Sequence, residues 1–539
     1  MTGETWDEGI ATEAHLVAVA LALDADRLSG WSEAEVALAR AAGHLTAPSR
    51  LVERARREIR DGDDPLGRAF CDIRDRVRRR AQGAVYTPQT LIRPMLDWAA
   101  EHLSAPARVV DPGSGSGRFV VGAGRRFPRS RLVAVETDPL AALLCRAHLV
   151  TADLADRASL LVEDYRTAPL GDAGGATLFI GNPPYVRHHQ IDPAWKAWLA
   201  RAARDAGLRA SGLSGLHVHF FLATAARART GDLGVLLTSS EWLDTRYGRL
   251  VRELLLGPLG GEAVHIVEPS AAPFSDATTT AAITCFRPGR PRGAMRLRRV
   301  DSLAALPAMD DGRDVSAGEL RAAERWSPLS RVAPAPPPDY VQLGDVCRVH
   351  RGAVTGANAT WIVAPGEVTL PSQLLFPTVT RAREIIDAGA ALVSSSHLRL
   401  VIDLPSELDV LDADVRHLVE RFLRKARRAG ANTGYIARAR RAWWSVGLRA
   451  PAPILATYMA RRPPAFTLNA AAARHINIAH GLYPRVDLPP RALTALVASL
   501  RRAATVDGGR MYAGGLAKFE PRDMERLAIP DPLAAAAAT

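Results

Sequence analysis

The chain has 539 residues, 47% of them hydrophobic, with a formal net charge of +12. That is enough apolar material for two or three cored domains, which argues against a chain disordered at large, and the positive excess favours a polyanionic partner. Four widely spaced cysteines, Cys71, Cys145, Cys285 and Cys347, argue against a disulfide framework or zinc ribbon and suit a reducing cytoplasm.

The acidic start, with Glu4, Asp7 and Glu8, does not read as a signal peptide, and the apolar stretch His15 to Leu23 is too short to span a membrane. Residues 1–80 read as a helical region: Glu13 to Leu23, Glu33 to Ala42, then Arg50 to Arg80 with a break at Asp61 to Pro65. Alanine, leucine and arginine dominate there and β-branched runs are missing. Arg76, Arg78, Arg79 and Arg80 give the last helix a basic end, suited to phosphate or to a solvated face. Only Lys196, Lys425 and Lys518 are lysines, so nearly all the positive charge is arginine, as a GC-rich genome would write it.

Tyr86-Thr87-Pro88 precedes an amphipathic stretch, Gln89 to Leu103. Thr87 is expected to cap that helix with proline at its first position, leaving backbone N–H groups for an anion such as a carboxylate. A strand at Arg108 to Val110 then runs into Asp111-Pro112-Gly113-Ser114-Gly115-Ser116-Gly117-Arg118-Phe119. Strand, glycine loop and helix make the first turn of a doubly wound nucleotide-binding sheet. Glycines at 113, 115 and 117 leave Arg118 where the dinucleotide fingerprint needs glycine or alanine. Asp111 suits a ligand's ammonium better than a pyrophosphate. A ligand with an amino-acid end and a nucleoside fits, namely S-adenosylmethionine.

The next strand, Arg131 to Val135, ends in Glu136, placed to take both ribose hydroxyls; the third, Ala158 to Val162, leads to Asp164 and Tyr165, placed for an adenine's amino group and face. The fourth apolar run ends in Asn182-Pro183-Pro184-Tyr185. Two prolines forbid both strand and helix, so the chain leaves the sheet at a strand's carboxyl end, where ligands bind. Asn182 Oδ1 and the Pro183 carbonyl can accept from an amino group while Tyr185 stacks on its ring. Downstream come a helix, Leu216 to Ala228, carrying Phe220, a strand at Leu233 to Thr238, and an antiparallel pair, Ala263 to Glu268 with Thr280 to Phe286, joined by a loop presenting Phe274. His217 and His219 stand beside large apolar residues with no acid or thiol at ligand spacing, so they read as packing and no metal site is expected.

This order of motifs, from Tyr86 to the long C-terminal region, resembles the gamma-class N6-adenine DNA methyltransferases of bacterial restriction–modification systems, with a TaqI-like catalytic domain. The resemblance runs motif by motif over residues 81–290; it departs where the family's Ala-Cys after Asp-Pro is Gly113-Ser114. It implies a Rossmann-like class I SAM-dependent methyltransferase domain, an α/β fold, with an N-terminal helical segment and a C-terminal α+β target-recognition domain. It also implies that Thr87 and Asp111 hold the methionine end of S-adenosyl-L-methionine, Glu136 the ribose, and Asp164, Tyr165 and Phe220 the adenine, with Tyr86, Gly113, Gly115 and Gly117 as further cofactor-binding residues. Asn182, Pro183, Pro184 and Tyr185 would be catalytic, with Tyr185 and Phe274 stacking on a flipped base. Glutamine methyltransferases of release factors share the Asn-Pro-Pro-Tyr loop, and an RNA adenine methyltransferase or a non-catalytic DNA-binding protein are further alternatives.

The expected domains are the helical region 1–80, the catalytic domain 81–300, a proline-rich linker 301–340, a target-recognition domain 341–532 and a frayed alanine tail 533–539. In the recognition domain, Arg424, Lys425, Arg427, Arg428, Arg438, Arg440 and Arg441 surround Tyr435, Trp443 and Trp444. Interleaved cations and aromatics suit a DNA groove; a basic helix face in an arginine-rich proteome is the plainer reading. The expected partner is double-stranded DNA, met by a cytoplasmic, nucleoid-associated monomer with a separately encoded endonuclease.

Overall fold

Runs of apolar residues without alternation need cover on both faces, and the first half of the chain supplies three of them. In the computed structural model these are β1 (Arg108–Pro112), β4 (Thr177–Gly181) and β5 (Leu233–Thr238), buried along their whole length. The structure describes residues 4–6, 9–74, 86–271, 273–274, 281–289, 293–331, 337–512 and 516–532. The expected basic helix end at Arg76 to Arg80, the stretch Gln82 to Val85, the loop residues Ser275 to Ala277, Gly514-Gly515 and the 533–539 tail lie outside the described residues. The chain divides into two compact units near residue 332.

The first unit is built on a nine-stranded sheet. Its other strands are β2 (Arg131–Val135), β3 (Ala158–Leu161), β6 (Gly261–Val267), β7 (Ala281–Phe286), β8 (Ala294–Val300) and β9 (Arg313–Ser316), and the spatial order is β9-β8-β6-β7-β5-β4-β1-β2-β3. Strands β3, β2, β1, β4 and β5 are mutually parallel, while β7 runs antiparallel to both β5 and β6. The chain moves outward from β1 through β2 to β3, then crosses back to β4 on the other side. That reversal opens a crevice at the carboxyl ends of β1 and β4, where ligands of such sheets bind.

The expected linker does not begin at 301. Residues 301–331 carry β9, which pairs with β8, and a helix Ala317–Ala322, and Trp326 is fully buried against Trp242 with ring centroids 6.0 Å apart. Burying that indole is what binds the stretch to the sheet.

The N-terminal region folds as expected into α1 (Glu13–Ala22), α2 (Glu33–Ala42), α3 (Ser49–Asp61) and α4 (Pro65–Ile73), with α3 ending at Gly62 and Asp64 capping α4. It is not a separate body. After α5 (Gln89–His102), and α6 (Arg118–Arg126) behind the glycine loop, α7 (Pro139–Thr151) is buried on nearly every side. Cys145 and Leu149 face the sheet; Leu140, Leu143, Leu144 and Ala147 face the N-terminal helices. A helix that is apolar all round must be buried all round. Arg146 of α7 locks this packing: fully buried, it pairs with the equally buried Glu35 (Nε–Oε1 2.6 Å) and donates to the carbonyls of Leu28, Ser29 and Gly30.

The remaining helices of the first unit that bear on the site are α8 (Pro193–Asp205), α9 (Leu216–Ala225) and α10 (Arg249–Leu256). The second unit is α+β. One four-stranded sheet joins Cys347–Arg351, Ala479–Pro484, Ile454–Thr457 and Phe466–Leu468; another joins Ile362–Val363, Arg399–Ile402, Leu375–Val379 and Arg474–His475. Its start and end meet, Tyr340–Gln342 pairing antiparallel with Ala528–Pro530. No helix among the described residues is long and apolar enough to cross a membrane.

Replacing Arg146 by alanine leaves Glu35 charged and unpaired in the core. A loss of about 3–5 kcal/mol is expected, read as a lowered denaturation midpoint followed by tryptophan fluorescence.

Candidate active site

A cavity of about 680 Å³ lies at the carboxyl ends of β1, β2 and β4, within the size range of small-molecule sites. Its floor is the glycine loop. Gly113, Gly115 and Gly117 all have positive φ, 75°, 55° and 97°, a region that favours glycine. Close approach adds a second constraint: a Cβ on Gly113 would stand 3.2 Å from Pro184 Cδ, and one on Gly117 2.7 Å from Cys145 Sγ. The loop is thereby pressed between the Asn-Pro-Pro-Tyr turn and α7.

Of the residues expected to hold a cofactor, Tyr86, Thr87, Gly113, Gly115, Glu136, Asp164, Tyr165 and Phe220 line this cavity. Glu136 Oε2 accepts from Gly115 N at 2.8 Å, and Oε1 from Thr137 N and Asp138 N at 2.8 and 2.9 Å. Burial raises its pKa against those bonds. Each carboxylate oxygen has about two acceptor positions; Oε1 also takes the Thr137 hydroxyl at 3.5 Å, while Oε2 takes only Gly115 N and keeps a position for a ligand. Asp164 is held by Arg166, Nη2–Oδ2 2.5 Å. Tyr165 is buried, its hydroxyl 3.0 Å from Thr224 Oγ1 and its ionisation pushed up to about 12 by burial; it stacks on Phe220, ring centroids 5.2 Å apart. The pair forms a stiff aromatic wall.

Three expectations need correction. Helix α5 starts at Gln89 behind Pro88 with no side-chain cap, so Thr87 is not its cap. Thr87 Oγ1 instead accepts from Asn182 Nδ2 at 2.9 Å. Asp111 does not line the cavity: it is 1% exposed, its Oδ2 accepts from Val120 N at 3.0 Å, and burial pushes its pKa well above the usual carboxylate range. It stands behind the loop and cannot greet an ammonium directly. Gly117 also lies outside the cavity wall.

At the tip of β4, Asn182 and Pro184 face the cavity. With Nδ2 committed to Thr87, Asn182 Oδ1 is buried without a hydrogen-bond partner. Pro183 is buried beside it. Tyr185 and Phe274 come together, ring centroids 6.3 Å apart and nearly perpendicular at 73°. This edge-to-face contact leaves no slot for a planar base until one ring turns.

The N-terminal helices supply a wall that sequence reasoning did not foresee: Phe70, and Arg74, which pairs with Glu13 (2.8 Å) and with Asp138. These partners lie about sixty residues apart, so no local pattern reveals them. Arg166 stacks on Trp195 at 3.6 Å, adding another part of the lining. Arg118 also lines the cavity; its position in the glycine loop was legible, its role was not.

His217 and His219 are buried in α9, His219 stacked on Trp198 with centroids 6.0 Å apart. Glu101, His102 and Asp310 lie close together, but Asp310 already takes Trp98 Nε1 (3.2 Å) and Arg296 (3.3 Å), and His102 Nδ1 is bonded to Trp98 O.

In the second unit, the helix Ala413–Arg428 buries Val419, Leu423 and Ala426 and exposes Arg421, Arg424, Lys425, Arg427 and Arg428; Tyr435 and Arg438 are exposed just beyond. The expected tryptophan readers are half-buried, packed against the core of this unit. Trp443 packs on Trp361 and Trp444, and Trp444 Nε1 donates to Pro405 O at 3.0 Å. Arg440 donates to the Val354 carbonyl and Arg441 pairs with Glu407 at 2.7 Å. An indole beside an aliphatic core gains more from burial than from water.

Over 520 residues the chain is 49% identical to the type II methyltransferase M.XamI of Xanthomonas campestris pv. amaranthicola, spanning 96% of this chain and 98% of that protein. The chain belongs to the type II methyltransferase family. The family model for the C-terminal domain of type II methyltransferase M.Eco57I matches residues 335–539. Type II methyltransferase M.AccI of Acinetobacter calcoaceticus is 20% identical over 369 residues, 64% of this chain and 67% of its own. The solved structure of the type IIL restriction-modification enzyme MmeI in complex with DNA aligns at a TM-score of 0.56 and 13% identity, over 85% of this chain and 69% of that one, which shows a shared fold. The first unit is thus a Rossmann-like class I methyltransferase domain, whose cofactor is S-adenosyl-L-methionine. The residues present fit it: an aromatic wall and a free acceptor position on Glu136.

Burial lowers His217 to about 4 and His219 to about 3 from 6.5. A histidine depressed in the folded state stabilises it fully above pH 6.5, and that stability is lost as pH falls toward the folded values. Each should cost up to about 1.4 kcal/mol per pH unit below pH 6.5. Denaturation midpoints at pH 7, 6 and 5 should fall accordingly, with a shallower slope in His219→Gln.

Proposed function

We propose that this protein is a site-specific DNA methyltransferase that methylates N6 of an adenine flipped out of duplex DNA, as the modification half of a restriction–modification system. The observation that carries this reading is Asn182 Oδ1, buried, unpartnered and fixed in direction by Thr87 at the edge of the cofactor cavity. An amide oxygen so placed asks for an N–H donor, and an exocyclic amino group supplies one.

The target nitrogen lies inside the duplex, so the base must leave the stack, at a cost of a few kcal/mol. Stacking on Tyr185 returns on the order of 1–3 kcal/mol. Phe274 closes the other face once the edge-to-face contact with Tyr185 opens. The N6 lone pair is delocalised into the ring and is a poor nucleophile. Asn182 Oδ1 and the Pro183 carbonyl each accept one of its hydrogens, drawing the nitrogen toward tetrahedral geometry and localising the lone pair. When bound, the cofactor supplies an electrophilic sulfonium methyl; the chain's contribution is alignment, by Thr87 on Asn182 and by Tyr165 and Phe220 on the nucleoside.

The second unit reads the DNA, with Arg424, Lys425, Arg427, Arg428 and Arg438 on phosphates. The enzyme acts as a monomer where bacterial DNA lies, in the cytoplasm, beside a separately encoded endonuclease. Glutamine methylation of a protein gives no use for this unit.

Expression in a methylation-free host with long-read mapping of N6-methyladenine tests the reading. Methylation at one short motif, lost in Asn182→Ala, is the expected result; unmodified DNA beside methylated RNA or a methylated release factor would refute it. Thr87→Val frees Asn182 to rotate and strands a buried N–H, so kcat should drop roughly 10- to 100-fold with little change in KM for the cofactor. Alanine at Arg424 and Arg428 should weaken binding to all DNA sequences alike. The slope of log K against log salt should shrink by about one for each phosphate no longer neutralised.

A further inference from the structure

Among the described residues three arginines line the cavity, Arg74, Arg118 and Arg166. Two are committed. Arg74 bridges Glu13 and Asp138, and Arg166 donates to both oxygens of Asp164. Arg118, the first residue of α6, differs: its guanidinium lies over the Tyr86 ring at 4.0 Å, and its Nε and Nη1 are buried without a hydrogen-bond partner. The acid whose charge couples to it, Asp64, is already occupied by Gly67 N (2.6 Å), Ser116 Oγ (2.6 Å) and His148 Nε2 (3.1 Å). A buried guanidinium with unmet donors on both Nε and Nη1 calls for an anion.

Position decides which anion. Tyr86, beneath the guanidinium, is the neighbour of Thr87, which holds Asn182. In the cofactor the sulfonium joins the nucleoside to the amino-acid chain, so the carboxyl end leaves the reacting centre away from the nucleoside. The aromatic wall of Tyr165 and Phe220 marks the nucleoside end. Asp111, behind the loop, presents no charge to the cavity.

We propose that Arg118, braced on Tyr86, binds the carboxylate of the methionine end of S-adenosyl-L-methionine and so selects the intact amino-acid moiety. The proposal rests on the methyltransferase reading of the same cavity. It makes Arg118 a cofactor-binding residue and Tyr86 a positioning residue that acts through it.

Titration calorimetry on the full chain with two ligands tests this: S-adenosylmethionine and its decarboxylated form, which differ only in the carboxylate. Wild type should prefer the intact cofactor by roughly 10- to 100-fold. Arg118→Gln should lose that preference to within about threefold, by weakening the intact cofactor while binding the decarboxylated form as wild type does; Arg118→Lys should restore part of it. Wild type without a preference, or Arg118→Gln that keeps it or weakens both ligands equally, would overturn the proposal. Binding of neither ligand by wild type would bring down the methyltransferase reading itself, and the proposal with it.

Discussion

A primary amide has two ends, and in Asn182 the protein satisfies only one. Thr87, ninety-five residues earlier in the chain, takes the nitrogen, and the oxygen is left buried and unmet at the tip of β4. Much of the first unit serves to keep it so. The double proline holds the turn open, Gly113 lets the floor rise against Pro184, and the aromatic pair Tyr165–Phe220 walls the cavity. An unmet buried acceptor costs stability in the resting protein. A donor that arrives in use offsets that cost.

The same logic distinguishes the arginines of the cavity from one another and from Arg146. Arg146 is as deeply buried as any residue in the protein, yet its donors are met by Glu35 and three carbonyls, and it holds layers together. Arg74 and Arg166 are met as well, one tying the N-terminal helices to the strand tips, the other holding Asp164 in place. Arg118 faces the same cavity with two donors unmet. Burial alone therefore says little about function here; the partners of each buried group say more.

How much of this was legible in the sequence follows from the range of each interaction. Strands β1 to β5 announce themselves as short apolar runs, and β1 to β4 are punctuated by glycine, proline or an acid at the carboxyl end. The glycine loop and the Asn-Pro-Pro-Tyr turn are local and could be placed on strand tips from residue order alone. Side-chain partners across tens of residues could not. Thr87 looked like a helix cap because Thr-Pro usually is one, and only the fold reveals that Asn182 competes for its hydroxyl. Trp443 and Trp444 looked like DNA readers because cations flank them, whereas a core formed with Trp361 decides their direction. Residues 301–331 looked like linker because β9 is four residues long and gains its identity only by pairing with β8.

The double burial of α7 sets the smallest catalytic piece that could stay soluble. Its Leu140, Leu143 and Leu144 are covered by α1 to α4 and not by the sheet. A fragment cut at residue 81, where the methyltransferase motifs begin, would keep every strand tip yet present that leucine face to water. It would also lose Phe70 and Arg74 from the cofactor wall. In this chain the helical layer ahead of the first motif belongs to the enzyme's core, and the motif map understates the domain.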